Sequence, residues 1–336
     1  MADFLKVLGG KELAEISVQF DYTNATADFV GLKLMPMVKT DNMKVYIRQL
    51  MKGGDIPVIA LVHAFDAEAR IGDRPNYDEF KESLFLIKEK INQGEELRKM
   101  VKEFGMSSDD ATLLNAIYDD ISNEIAKVLT AFERRACEAL STGKLVIAEN
   151  GANRTVDYHL DDANKVDVSG WSSPEHDIVA DLTALKNASR GKIVRQIISS
   201  KVLGYMLSNT TLKSYAAGQL QPMTGDFIKS YMQSAFNITL TVDDRTYKTA
   251  YNGGKEYRFF DEDTIISLTT LGEVGKTVMT STPTEDAGEA DVTYGFIVVD
   301  QWTEHDPKTS WTMAEGVGLP VFTDINNTLY LSKVSA

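Results

Sequence analysis

The chain has a single cysteine, Cys137, in 336 residues, so its fold cannot rest on an internal disulfide. That usage suits folding in a reducing cytoplasm. Histidine is nearly as scarce: His63, His159, His176 and His305 stand far apart. Basic residues are also in short supply, 35 Lys and Arg against 49 Asp and Glu, which leaves a formal net charge of −14. An acidic surface repels phosphate backbones. This excludes gripping nucleic acid as the main activity and leaves DNA to be touched only non-specifically. No stretch reaches the roughly 18 consecutive apolar residues of a membrane span, and "MADFLKVLGGKELAEI" lacks a basic-then-apolar signal layout. No repeat or low-complexity tract occurs. What is present is ordinary: 43% hydrophobic and 25% charged residues, the balance of a soluble cytosolic protein with a real core.

Periodicity organises the rest. Residues 1–40 show no sustained period and read as an extended arm with a small helix near "KELAEI". "KVYIRQL" (44–50) and "DIPVIALV" (55–62) read as strands on either side of Gly53-Gly54, and the polar connector "FDAEARIGDRPNYDEFKE" follows. Two strands with a long charged excursion predict a projecting β-loop outside the compact core. From 107 the period changes. Leu113, Ile117, Ile121, Ile125, Leu129, Phe132, Ala136 and Leu140 recur at three- or four-residue intervals. Ser and Asp at the start and Gly143 at the end bracket a helix over 107–142, about 50 Å long. Beyond it, "KLVIAE" and "RTVDYHL" around Asn150-Gly151 predict a hairpin. "DIVADLTALKNAS" (177–189) predicts a helix capped around Ser173-Pro174, and "DFIKSYMQSAF" a second, shorter one. Short strands from "NITLTVDD" to "TLYLSKV" make a β-rich C-terminal half. One long helix with many strands, not in βαβ order, argues α+β.

Few stretches suggest chemistry by themselves. "TTLGEVGKTVM" (269–279) misses the P-loop pattern G-x-x-x-x-G-K-[ST] by one residue, with Thr270 where the first glycine belongs. A P-loop also needs a helix straight after the lysine, whose amide groups meet the phosphates. Here Val278, Thr280, Thr282 and Pro283 make a poor helix. The expectation is a strand, a turn and a second strand, with Lys276 facing solvent. His176-Asp177 and His305-Asp306 are dipeptides of some metal phosphohydrolases, but four scattered histidines do not supply the further ligands. Cys137 has no neighbouring histidine to act as base and reads as a small packing residue on the long helix. The pairs Asp119-Asp120, Asp161-Asp162 and Asp243-Asp244 read as solvated faces or turns. No catalytic, cofactor-binding or metal-ligating residue is assigned, and the chain is expected not to be an enzyme.

The order of the parts says more. The long helix ends at "RRACEALSTGKLVI" in a small-residue turn to a strand. "TVDYHLDDANKVDVSGWSSPEHDIVADLTAL" follows, with an acidic strand, a lone Trp171 and a D-x-x-x-D-L helix start. "YRFFDEDTIISLTTLGEVGKTVMT" runs from a charged turn into an apolar strand. "WTEHDPKTSWTMAEGVGLPVFTDINNTLYLSKV" closes the chain with a D-P turn, a "G-x-x-L-P" segment and a terminal strand. In this order, over most of its length, the sequence resembles the tailed-phage major capsid proteins of the lambda-type family (phage capsid protein E).

That resemblance implies an α+β, HK97-like phage capsid fold. It implies an N-terminal arm at 1–40, an E-loop at 41–86, a peripheral domain at 87–189 and 306–336 with spine helix 107–142, and an axial domain at 190–305. It also implies copies that join as hexamers and pentamers in an icosahedral shell around phage DNA, assembled in the host cytoplasm away from any membrane. A separate scaffolding protein and a portal are the further partners it implies, and it leaves open whether a decoration protein binds outside. An encapsulin-like compartment shell of the same fold is the alternative, and a nucleotide-binding enzyme a more distant one. The Lys–Asn crosslinking of some relatives is not carried over, because no local motif fixes such a pair.

Overall fold

A computed structural model of the chain describes residues 25–50, 77–93, 110–149, 151–250, 253–288, 292–305 and 308–335. The expected helix near "KELAEI", the strand at 55–62, residues 107–109, His63 and Asp306-Pro307 lie outside them. The N-terminal part holds a one-turn helix α1 (Gly31–Leu34) and strands β1 (Met37–Lys39), β2 (Lys44–Leu50), β3 (Tyr77–Ser83) and β4 (Phe85–Gln93). Helix α2 (Asp110–Thr142) is followed by β5 (Lys144–Glu149), β6 (Ala152–Asp157), β7 (Val168–Ser169) and α3 (Ile178–Ala188). Next come β8 (Arg195–Ile198), α4 (Ser200–Ser208), α5 (Thr210–Gly218), α6 (Gly225–Phe236) and β9 (Thr239–Val242). Strands β10 (Thr246–Lys248), β11 (Glu256–Arg258), β12 (Thr264–Leu268) and β13 (Gly275–Thr280) lead to the last four. These are β14 (Val292–Tyr294), β15 (Ile297–His305), β16 (Lys308–Phe322) and β17 (Leu329–Ser335). The elements gather into two units, Met1–Val45 with Ser83–Ala136 and Lys276–Val321, and Tyr46–Glu82 with Cys137–Gly275 and Phe322–Ala336.

The first unit is built on a six-stranded sheet in the order β1-β13-β16-β15-β14, with β4 also paired to β16. Strand β16 is flanked on both sides: Lys308 to Glu315 pair with β15, and Ser310 to Gly318 with β4. The apolar stripe of α2 buries Ile121, Ile125, Leu129 and Phe132 completely. Phe132 stacks on Phe85 of β4 with ring centroids 6.1 Å apart. Two glycines let that ring approach the sheet. A Cβ at Gly316 would lie 2.9 Å from the Ile297 side chain and 3.1 Å from the Phe132 ring. One at Gly318 would overlap the Met279 sulfur and lie 3.0 Å from the Val278 carbonyl oxygen and 3.1 Å from Phe132. The "G-x-x-L-P" segment therefore has a steric reason: a bare backbone under an aromatic ring.

The second unit holds a five-stranded sheet in the order β7-β17-β12-β8-β9. Ile198, Ile265 and Tyr330 on its strands share one core with Trp171, Ile228 and Met232 on and near the helices. Strands β8 and β9 are parallel, and α4, α5 and α6 form the crossover between them. One βαβ unit is thus present, which corrects the reading that the order excluded it. The cap of α3 is also corrected: Asp177, not Ser173-Pro174, accepts the Ala180 N–H at 3.0 Å. Helix α2 ends as its sequence predicts. Gly143 sits at φ +67° with its N–H on the Ala139 carbonyl at 2.9 Å, and Leu160 leaves no room for a side chain there. The β5–β6 hairpin pairs Glu149 with Ala152 around the expected turn. Its second strand stops at Asp157, short of the expected 160, with His159 at φ +54°. Strands β2 and β3 form a separate two-stranded ribbon, so the polar connector read as loop ends in a strand.

Candidate assembly surfaces

The 269–279 stretch forms no phosphate cradle. The Thr270 hydroxyl accepts the Gly272 N–H at 3.1 Å and closes a turn. Residues 275–280 are strand β13, not a helix, and Thr277 to Met279 pair with β1. A strand spends its N–H groups on its neighbours, so they cannot converge on a phosphate. Thr277, which would ligate a metal in a P-loop, is buried and donates its hydroxyl to the Met35 carbonyl at 2.8 Å. Lys276 is exposed, as expected of a turn leading into a strand.

Among the described residues, His176 and the cysteine have structural neighbours. His176 Nε2 and Trp171 Nε1 both meet Asp181 Oδ2 at 2.7 Å, the indole donating. That shared carboxylate pins the 170–177 loop to the first turn of α3. Asn209, the N-cap of α5, adds Nδ2 bonds to the Pro174 carbonyl at 3.1 Å and the His176 carbonyl at 2.7 Å. His305 ends β15 opposite Lys308, and Cys137 is fully buried in α2. Among the described residues no three His, Cys, Asp or Glu side chains gather closely enough to hold a metal ion. A cavity of about 520 Å³ beside α1 is lined mainly by Leu32, Pro36, Met37 and Phe296, and no set of polar groups converges in it.

Strong contacts instead anchor segments that run far from their origin. In the first unit the fully buried Glu133 of α2 receives the backbone N–H groups of Val30, Gly31 and Leu32 at 2.8, 2.9 and 2.7 Å. Val30 stands at the N-cap of α1 and has no side chain that could satisfy these donors. A carboxylate from a hundred residues away does so, and fixes the segment that leads into β1. In the second unit the β2–β3 ribbon is tied down by a Glu82–Arg154 ion pair and an edge-on contact of Phe80 with His159 at 5.0 Å.

Of the Asp243-Asp244 pair, expected to be solvated, Asp244 is exposed but Asp243 is buried. Asp243 is buried and holds Arg245 Nη2 at 2.8 Å, with that guanidinium also lying 5.1 Å from the Phe259 ring. Asp244 accepts the Ser200 N–H at 3.0 Å at the start of α4 and pairs with Arg258 of β11. Partial burial works to raise the Asp244 carboxyl, but the Ser200 hydrogen bonds and the Arg258 charge outweigh it and hold it below its usual value. A depressed carboxyl contributes stability that is present above the unfolded value, about 3.9, and lost as pH falls through the folded one. Between about pH 5 and about pH 3 the melting temperature of Asp244→Asn is therefore expected to fall less steeply than that of the parent. Parallel curves for the two chains, recorded by circular dichroism, would refute this role.

The family model for phage major capsid protein E matches residues 39–331. A solved structure described as a prophage capsid protein of Escherichia coli CFT073 superposes with a TM-score of 0.65 at 15% identity, covering 97% of this chain and 99% of the other. A phage-related protein from Bordetella bronchiseptica RB50 gives 0.52 at 13% identity, covering 96% and 95%. Comparison with curated protein sequences gives no significant match.

Proposed function

The chain belongs to the phage major capsid protein E family, and on that premise we propose that its copies join as hexamers and pentamers and close into an icosahedral shell around phage DNA. It is a shell-forming capsid protein, a component of the virion, with the HK97-like α+β fold. The family match across 39–331 carries this reading. The anchoring contacts agree with it, because they secure extended pieces of chain instead of shaping a pocket.

Residues 1–40 are assigned as the N-terminal arm and 41–86 as the E-loop, rooted in the β2–β3 ribbon. The peripheral domain takes 87–189 and 306–336 with the spine helix 107–142, and the axial domain takes 190–305. A two-stranded ribbon buries too little to be stable alone. Lying over a neighbouring subunit would supply the missing burial, and would spread assembly energy over broad contacts. A separate scaffolding protein and a portal are the further partners, and the host cytoplasm is the site of assembly. The net charge of −14 keeps contact with packaged DNA non-specific. No residue is given a catalytic role, and the buried, committed hydroxyl of Thr277 argues against a nucleotide site.

Sedimentation over a concentration series tests the reading, with the chain purified alone and after co-expression with the neighbouring phage genes. A cooperative step from capsomers to large closed particles is expected. A single small species under every condition would rule the proposal out.

A further inference from the structure

We propose that Arg195, at the turn from α3 into β8, is an oxyanion site whose occupant is a side-chain carboxylate of a second copy of this chain. The proposal rests on the shell reading above and adds the residue and the chemistry of one contact between copies.

Arg195 is the first residue of β8, and its register partners are Leu268 on β12 and Thr239 on the edge strand β9. Gln196 bonds Ser267 within the sheet and Ile198 joins the core shared with the helices, so Arg195 points to the opposite face. Its side chain is half-buried, and its Nε is sealed from solvent with no acceptor among the described residues. Burial lowers the guanidinium's pKa, and no neighbouring carboxylate acts in the other direction. The other half-buried arginines of this unit differ. Arg154, Arg245 and Arg258 each pair with a carboxylate, of Glu82, Asp243 and Asp244. A desolvated guanidinium without a counter-charge destabilises the protomer, because its lost hydration is not replaced. Nothing described in the protomer supplies the missing anion.

The surroundings favour an anion. From Leu182 to Gly225 there is no Asp or Glu, in a chain in which 49 of 336 residues are acidic. The same stretch places Lys186, Arg190, Lys192 and Arg195 close together in sequence. The turn also folds them into one corner: the Gly191 N–H bonds the Lys186 carbonyl at 2.8 Å, and the Lys192 N–H bonds the Ser189 carbonyl at 3.2 Å. Arg190 and Lys192 are exposed there. Lys186 and Arg190 also suit the negative end of α3, but Arg195 lies in a strand, where no helix dipole accounts for it.

Charge complementarity points to a second copy as the source of the carboxylate. Each copy has 49 acidic residues against 35 Lys and Arg, so it carries acidic side chains that its own cations cannot match. The planar guanidinium fork takes both oxygens of a carboxylate at once. Copies with a net charge of −14 repel one another, and a basic corner set against an acidic face opposes that repulsion. A nucleic acid would also present its phosphates to the acidic remainder of the chain.

The unassembled protomer gives the first test, with inorganic phosphate as the probe. At constant ionic strength, phosphate is expected to raise the melting temperature of the parent by about 2 °C more than that of Arg195→Met. Equal shifts would mean that no oxyanion binds at Arg195. Without phosphate, Arg195→Met is expected to melt at the parent's temperature or above it, since it loses an unpaired, desolvated charge. Its half-assembly concentration is expected to rise about tenfold, the factor that loss of one charge-assisted pair per subunit brings. Arg195→Lys keeps the charge without the fork and is expected to fall between the two. Raising the salt from about 0.05 M to about 0.5 M is expected to weaken assembly of the parent more than that of Arg195→Met. Assembly of Arg195→Met at the parent's concentration would overturn the contact between copies, and loss of DNA from those particles would then assign the site to phosphates. If the parent chain itself forms no particles, the shell reading falls and this occupant with it, while the phosphate shift still decides whether the oxyanion site exists.

Discussion

Replacing Glu133 by alanine is expected to lower the unfolding free energy by about 4 kcal/mol. The carboxylate is completely buried and accepts three backbone N–H groups at the start of α1. Each abandoned buried donor costs roughly 1–3 kcal/mol, and water can reach the 30–32 segment only if it lifts off α2. Alanine also leaves a cavity where the side chain stood. Glu133→Gln separates these effects. Its amide oxygen can keep the two donors on one side, but its NH2 group faces the third donor, so a loss of about 2 kcal/mol is expected. Urea denaturation measures both. Hydrogen exchange at residues 30–32 gives the local readout: these amides are expected to be strongly protected in the parent and to exchange much faster in both variants. Parent-like protection in Glu133→Ala would mean that α1 is held by its apolar contacts alone.

The second large effect concerns the glycines beneath Phe132. Gly318→Val is expected to cost about 3 kcal/mol, at the upper end of overpacking penalties, since the new atoms meet a backbone carbonyl as well as side chains. Met279 can swing its thioether aside, but the Val278 oxygen belongs to a paired strand and cannot move freely. Phe132→Leu removes part of the obstruction. In the double variant the loss is therefore expected to be smaller than the sum of the two single losses, with a coupling of about 1 kcal/mol by thermal denaturation. Additive losses would show that the ring and the glycine do not share space.

These two sites also mark what the sequence makes legible. Helix α2 is readable because its apolar residues keep one period from Leu113 to Leu140 and Gly143 ends it. The 269–279 stretch is readable because β-branched residues after Lys276 oppose the helix a P-loop needs. Glu133 is not read, although a signal exists. It lies four residues after Leu129 and three before Ala136, within the buried stripe, where a carboxylate must have partners. Those partners are backbone groups a hundred residues away, which no local pattern names.

Two strands escape for opposite reasons. In β4, Phe85, Ile87 and Ile91 alternate as a half-buried strand should, but Lys and Glu between them resemble the charged excursion before it. In β3, "YDEFKES" has no apolar face, because a two-stranded ribbon buries neither side in its own sheet. The βαβ unit is hidden by its length: three helices separate β8 from the parallel β9. The paired roles of Asp181 and Asp243 depend on side chains that only the folded chain brings near. Acidic dipeptides look alike in sequence whether they face water or an arginine.

Cryo-electron microscopy of particles purified after co-expression with the neighbouring phage genes tests the central claim most directly. The expected result is closed icosahedral shells of five- and six-fold capsomers, with the 110–142 helix resolved in every subunit. Monomers or small open oligomers at every concentration, with all the phage partners present, would contradict it.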